Sequence, residues 1–285
     1  MLQGGPLPSN DVERIAAIED PYQLLRVATE RLNAAQQEVT ELSRLRRRVI
    51  QELHAQGMSY AQIAKEAGLT RGRIHQIRHT GPAPEGAFFG QGTITLIKPL
   101  KREARQARPV VAVEDVTAAK RLEDLARGFD LPVELEHVPL GGDINLNRPN
   151  LVVICGPRLS TVMGQLYERD PVLEWVKEDV WTLHDTRTDD RYRSGSDDEP
   201  ARAIDYAYLG RLPRPDGAGN VLVFTGIHPQ GTLGVVRLLQ TELAALWGQV
   251  ADKPFSTIVA TEYEPKTGEP VKVELASPLY RHEEE

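Results

Sequence analysis

The sequence predicts two architectures in one chain: an all-α N-terminal part, then an α/β domain whose mixed, largely parallel sheet is flanked by helices. Three observations predict it. From Pro21 to Gln56 no residue breaks a helix, and Leu25, Ala28, Leu32, Ala35, Val39 and Leu42 recur three and four apart. Residues 57–79 then hold two short helical patterns on either side of Gly68. Beyond residue 92, short apolar runs alternate with helical patterns, as in a sheet covered by helices.

Length and composition set the bounds. A chain of 285 residues with 40% hydrophobic content can bury a sizeable core and fits two domains. The expected division is a helical domain over 1–80, a linker over 81–92 and the α/β domain over 93–285. No apolar run approaches the length of a membrane span, and Met-Leu-Gln-Gly-Gly-Pro lacks the charged and apolar regions of a signal peptide. The single cysteine, Cys155, rules out an intramolecular disulfide; a cytoplasmic location is expected. No cysteine–histidine cluster indicates zinc, and no metal site is assigned.

The net charge of −7 is unevenly spread. Residues 43–80 hold Arg44, Arg46, Arg47, Arg48, Lys65, Arg71, Arg73 and Arg78 against only Glu52 and Glu66. A basic island in an acidic chain is the electrostatic footprint of local nucleic-acid contact.

Taken in order, residues 1–10 are rich in Gly, Pro and Ser and are expected to fray. A short helix is expected over 11–19. Asp20-Pro21 then reads as a cap followed by proline at the first helical position. The helix it starts, roughly 36 residues, would be about 54 Å long. Its stripe continues through Leu45, Val49 and Leu53. Two readings stand side by side: a homodimer seam that sets two DNA-binding units on a two-fold site, or a spacer lying along the chain's own C-terminal domain. The dimer is preferred.

At residues 57–79, Ser59 can cap a first helix with Ala61, Ile63, Ala64 and Ala67 inward. Gly68 supplies a left-handed turn and Leu69 plugs the space between helices. Thr70 caps a second helix that turns Ile74 and Ile77 inward. Its other side shows Arg71, Arg73, His75, Gln76 and Arg78, donors suited to phosphates and base edges. These residues, with Ile50 and Leu53 ahead of them, resemble the helix-turn-helix of bacterial sigma factor region four and of one-component regulators. The resemblance covers about forty residues. It implies double-stranded DNA as a partner, with Ser59, Thr70, Arg71, Arg73, His75, Gln76 and Arg78 at the contact, and it allows RNA polymerase as another.

Phe88-Phe89 stands out in the expected linker as a pair that docks on a neighbouring domain. Strands are then expected at 93–97, 110–113, 132–138, 151–154, 172–176, 180–183, 207–212 and 221–224, with a closing hairpin of 256–261 and 271–275 across Lys266-Thr267-Gly268. Helices are expected after Asp115, which caps one with Val116, Ala119, Leu122 and Leu125 inward, at 159–167 and at about 232–247. The stretch Asp185–Asp198 reads as a solvated, mobile loop or a lid.

Ligands of open α/β sheets gather beyond the carboxyl ends of the strands. Two turns there have small residues, hydroxyls and backbone donors: Cys155–Thr161 and Thr225–Thr232. They suit an anion, so Gly156, Arg158, Ser160, Thr225, Gly226, His228, Gly231 and Thr232 are the candidate ligand residues for a small, nucleotide-like effector. No phosphate-loop or dinucleotide fingerprint is present, and turns that merely need glycine account for the pattern equally well. The segments Asn150–Pro157, Asp205–Pro215 and Phe224–Gly234 resemble a poorly characterised α/β domain found behind helix-turn-helix modules in actinobacterial-type regulators. That resemblance implies a sensor role and supplies no catalytic residues and no defined cofactor.

The expected function is a DNA-binding transcriptional regulator with an effector-sensing domain. One alternative is a nucleotide or nucleoside hydrolase tethered to DNA, working between Arg158, Asp205 and His228, although no catalytic signature stands at recognisable spacing. The other is a protein-interaction platform.

Overall fold

The computed structural model describes residues 10–80, 83–103 and 108–282. The fraying expected for residues 1–9 and the first two residues of the expected linker lie outside it. The chain forms two compact units, 1–82 and 83–285.

The first unit is helical: α1 (Asn10–Ala16), α2 (Pro21–Ala55), α3 (Tyr60–Glu66) and α4 (Arg71–Thr80). Asp20 caps α2 by accepting the N–H of Tyr22 at 3.0 Å, and Pro21 opens the helix where its missing N–H costs nothing. A small core of Ile50, Ile63, Ala64, Ile74 and Ile77, flanked by Leu53 and Leu69, ties the end of α2 to α3 and α4. Ala61 and Ala67, expected inward, are exposed. In a helix of two turns only Ile63 and Ala64 face both neighbours, and Ala67 is already the C-cap.

The second unit has thirteen strands and three helices among its described residues. In order they are β1 (Ile94–Pro99), β2 (Lys101–Arg102), β3 (Pro109–Val110), α5 (Val113–Gly128), β4 (Val133–Val138), β5 (Leu151–Ile154), α6 (Thr161–Tyr167), β6 (Leu173–Lys177), β7 (Trp181–Asp185), β8 (Asp190–Arg193), β9 (Ile204–Pro213), β10 (Asn220–Gly226), α7 (Pro229–Val250), β11 (Phe255–Tyr263), β12 (Pro270–Leu275) and β13 (Tyr280–Arg281). The main sheet runs β12-β11-β9-β10-β5-β1-β4, with β13 on β11. The four strands β10, β5, β1 and β4 are mutually parallel, and β9, β11 and β12 add an antiparallel wing. The sheet is therefore mixed with a parallel core, as the sequence predicts.

Alternation along the strands sends side chains to two cores. Leu96, Val152, Ile154, Leu222 and Phe224 face α5 and α7, whereas Ile97, Val153, Val221 and Val223 face α6 and a small sheet of β6, β7 and β8. Phe88 and Phe89, 1% and 2% exposed, belong to the first of these cores, held there by a 3-10 turn over Pro84–Phe88. Asp115 is not a cap: α5 already starts at Val113, and Asp115 lies buried within its first turn. Val116, expected inward, is exposed, whereas Ala119 and Leu122 are buried and Leu125 half-buried as expected, joined by Ala118 and Ala126. Asp185–Asp198 is an ordered hairpin rather than a mobile loop. Asp185 is fully buried and accepts the Tyr280 hydroxyl at 2.6 Å.

Candidate DNA-binding face and ligand crevice

The helix-turn-helix is built by local chemistry. The Ser59 hydroxyl accepts the N–H of Gln62, and the Gln62 side chain accepts the N–H of Ser59 at 2.9 Å, a reciprocal cap on α3. Gly68 takes φ +65°, the left-handed turn that lets the chain leave α3 and start α4. Thr70 Oγ1 then accepts the N–H of Arg73 at 3.1 Å. Ser59 and Thr70 thus engage their hydroxyls in capping. Arg71, Arg73, His75 and Gln76 are exposed on α4. Arg73 donates to Gln76 Oε1 at 2.5 Å, and the His75 ring lies 4.3 Å from that of His79, tilted by 40°. Arg78 is half-buried, its guanidinium 4.1 Å from the Tyr60 ring centroid. That contact bridges α4 to α3, so Arg78 serves the fold of the motif as well as its charge.

In the α/β unit the helix after β5 lies on one face of the sheet, while those after β1 and β10 lie on the other. Neighbouring parallel strands whose helices part in this way open a crevice at their carboxyl ends. It is lined by residues of both expected turns, including Gly156, Arg158, Thr225, Gly226, His228 and Thr232. The turns are in close approach: a Cβ on Gly156 would lie 3.2 Å from the Thr225 methyl. The space a water-sized sphere can reach inside is about 30 Å³, room for one or two waters.

Ser160 and Gly231 do not line the crevice. Ser160 is 3% exposed; its hydroxyl donates to Gly142 O at 2.5 Å and accepts the N–H of Met163, capping α6. Gly231 lies against β9, where a Cβ would come within 2.8 Å of Asp205 Oδ2 and Tyr206 O. The backbone N–H groups of Gly231 and His228 donate to Asp205 Oδ2 at 2.7 and 3.0 Å. These donors at the start of α7, expected to receive an external anion, are taken by the chain's own carboxylate. Burial of Asp205 pushes its carboxyl up to about 6, against the opposing pull of the Gly231 N–H. Gly226 is likewise a packing glycine: a Cβ would meet His228 O and lie 2.7 Å from Thr232 N. The Thr232 hydroxyl accepts the Gly226 N–H at 2.9 Å.

Arg158 and His228 differ in freedom. Arg158 is exposed and makes no ion pair among the described residues. His228 Nε2 lies 2.9 Å from Asp197 Oδ1. Sequence reasoning missed the charged and aromatic lining residues Lys101, Asp115, Trp175 and Trp181. Lys101 Nζ sits 2.7 Å from the buried Asp115 carboxylate. Position beyond the carboxyl end of β1 was the signal for Lys101; the tryptophans arrive from a separate sheet whose packing no local pattern announces.

A serine–histidine–aspartate set does occur elsewhere. Ser256 Oγ lies 3.0 Å from His282 Nε2, and Asp170 Oδ1 lies 3.5 Å from the same nitrogen. A proton relay needs the two partners on opposite ring nitrogens and a reachable hydroxyl. Ser256 is fully buried, so this set holds the end of the described chain in place rather than attacking a substrate.

Residues 30–81 match the family model described as Sigma-70, region 4. No curated protein and no solved structure matches the chain. The match falls on most of α2 and on α3 and α4, whose caps, turn and basic face form a sigma region 4-like, DNA-binding helix-turn-helix. No helix among the described residues is long and apolar enough to cross a membrane.

Proposed function

We propose that this chain, in which residues 30–81 are a sigma region 4-like helix-turn-helix, is a transcriptional regulator that reads double-stranded DNA with α4 and responds to a small anionic effector through its α/β unit. The observation that carries the DNA reading is α4 itself. It is capped and positioned by its own core, and Arg71, Arg73, His75 and Gln76 are left exposed together on the surface. Such a helix places donors against base edges in a major groove. Selection from a randomised duplex pool by the full chain should enrich one sequence; a pool that stays random would overturn the reading.

The stripe on α2 supports a homodimer. Leu25, Leu32, Val39 and Leu42 are between 52% and 64% exposed along one side of the helix. A second copy of α2 would cover them and set two copies of α4 on a two-fold site. The match to sigma region 4 supports RNA polymerase as a further partner.

The effector reading rests on the crevice, now centred on Arg158, Thr225 and Lys101 rather than on the start of α7. Arg158 is a cation there without an ion pair among the described residues, and Thr225, 8% exposed, lines the crevice. An effector acts on DNA binding only through a difference in its affinity for two arrangements of the protein.

A further inference from the structure

Two of the chain's three tryptophans, Trp175 and Trp181, stand at the crevice. The register of the small sheet puts them there. Trp175 is opposite Leu183, Lys177 opposite Trp181 and Leu173 opposite Asp185, so both indoles share the face that carries Leu173 and Leu183 into the second core. Leu173 and Leu183 are fully buried, whereas the indoles lie nearer the hairpin end and are half-buried. They meet edge to face at 6.2 Å. The Nε1–H of Trp175 is shielded from water and has no hydrogen-bond partner among the described residues. An unanswered buried donor is costly to the fold.

The other lining groups complete a pattern. Lys101 and Asp115 hold one donor beside one acceptor at 2.7 Å, and Arg158 offers a planar fork that no carboxylate of the described residues occupies. An inorganic anion alone would leave the indoles and the Lys101–Asp115 pair unused. A purely apolar ligand would leave Arg158 and the Lys101–Asp115 pair unused.

We propose that the effector is a nucleotide, its base against Trp175 and Trp181, its polar edge read by Lys101 and Asp115, and its phosphate on Arg158. This rests on the effector reading above and names the ligand class. The inner space is too small for a base, so the ring lies across the indoles at the mouth.

Calorimetry on the full chain tests it with each of the four ribonucleoside 5′-monophosphates, the matching nucleosides and inorganic phosphate. At least one nucleotide should bind about tenfold or more tighter than phosphate or its own nucleoside. Trp181→Leu should remove about tenfold of nucleotide affinity, within the range of one stacked base, and leave phosphate affinity within about twofold. Trp181→Phe should restore most of that affinity, which a merely unfolded variant would not. Nucleotide should also quench tryptophan emission in wild type and fail to do so in Trp175→Phe/Trp181→Phe, where the core residue Trp247 remains. Phosphate binding as tightly as every nucleotide would overturn the nucleotide assignment and leave the anion crevice standing. No binding of phosphate, nucleoside or nucleotide at millimolar concentration would overturn both.

Discussion

Asp205 Oδ2 accepts the backbone N–H of Gly231 at 2.7 Å, beneath the first turn of α7. A buried carboxylate from β9 therefore neutralises the helix start at which the glycine-rich turn predicts a ligand. The same contact gives the α/β unit one pH-dependent group that a single substitution can remove. Burial holds the Asp205 carboxyl at about 6, above the roughly 3.9 of an unfolded chain. The folded state binds this proton more tightly, so the stability from this group is complete below about pH 4 and is lost as pH rises through about 6. Asp205→Asn keeps an oxygen acceptor for both N–H groups and removes the charge. Urea unfolding should show the variant gaining on wild type between pH 4 and 6.5, by roughly 3 kcal/mol at most. Parallel curves across that window would show that Asp205 is not the titrating group.

Gly231 answers to packing, not to a ligand. A Cβ there would lie 2.8 Å from both Asp205 Oδ2 and Tyr206 O. Gly231→Ala should lower stability by about 1–3 kcal/mol through overpacking, and its affinity for phosphate should stay at the wild-type value while it remains folded. Abolished phosphate binding at unchanged stability would return Gly231 to the crevice.

Arg211 is 6% exposed and donates to the carbonyls of Phe88, Ala251 and Lys253, its guanidinium 4.9 and 5.4 Å from the ring centroids of Phe88 and Phe255. It fastens the turn carrying Phe88 to the end of α7. Each buried carbonyl left without a donor costs on the order of 1–3 kcal/mol, so Arg211→Met should destabilise the α/β unit by about 3 kcal/mol or more. All three tryptophans lie in that unit, so their emission reports its unfolding while helical circular dichroism follows the whole chain. An unchanged tryptophan midpoint would contradict the fastening role.

Leu32 is 58% exposed near the middle of the α2 stripe. If a second copy covers it, Leu32→Glu buries an unpaired charge at the seam and should convert a sedimenting dimer to monomer. A wild-type chain that sediments as a monomer at every practical concentration would remove the dimer from the account.

The helical unit was the most legible part of the sequence. Ser59, Gly68 and Thr70 act through local backbone chemistry, and an unbroken stretch from Pro21 admits little besides helix. The central parallel strands β1, β5 and β10 were legible as short apolar runs and the edge strand β4 as an alternating one, and their order placed the two glycine turns at one end of the sheet. The errors arose where tertiary partners decide. Asp115 looks like a cap but pairs with Lys101, and Asp185 looks solvated but is buried against Tyr280. Glycine in the Thr225–Thr232 turn fits a ligand loop and a tight helix–strand contact equally well; only the position of Asp205, on the preceding strand β9, separates the two.

Fluorescence anisotropy on the enriched duplex tests DNA reading by α4 most directly. Wild-type affinity should fall steeply with added salt as counterions are released. Arg71→Ala/Arg73→Ala should weaken binding by roughly 1–3 kcal/mol for each base that the two arginines read. The helical signal should be retained, because both side chains are exposed and outside the core of Ile50, Ile63, Ile74 and Ile77. A double variant that binds the duplex as tightly as wild type, with the same salt dependence, would show that α4 does not read it.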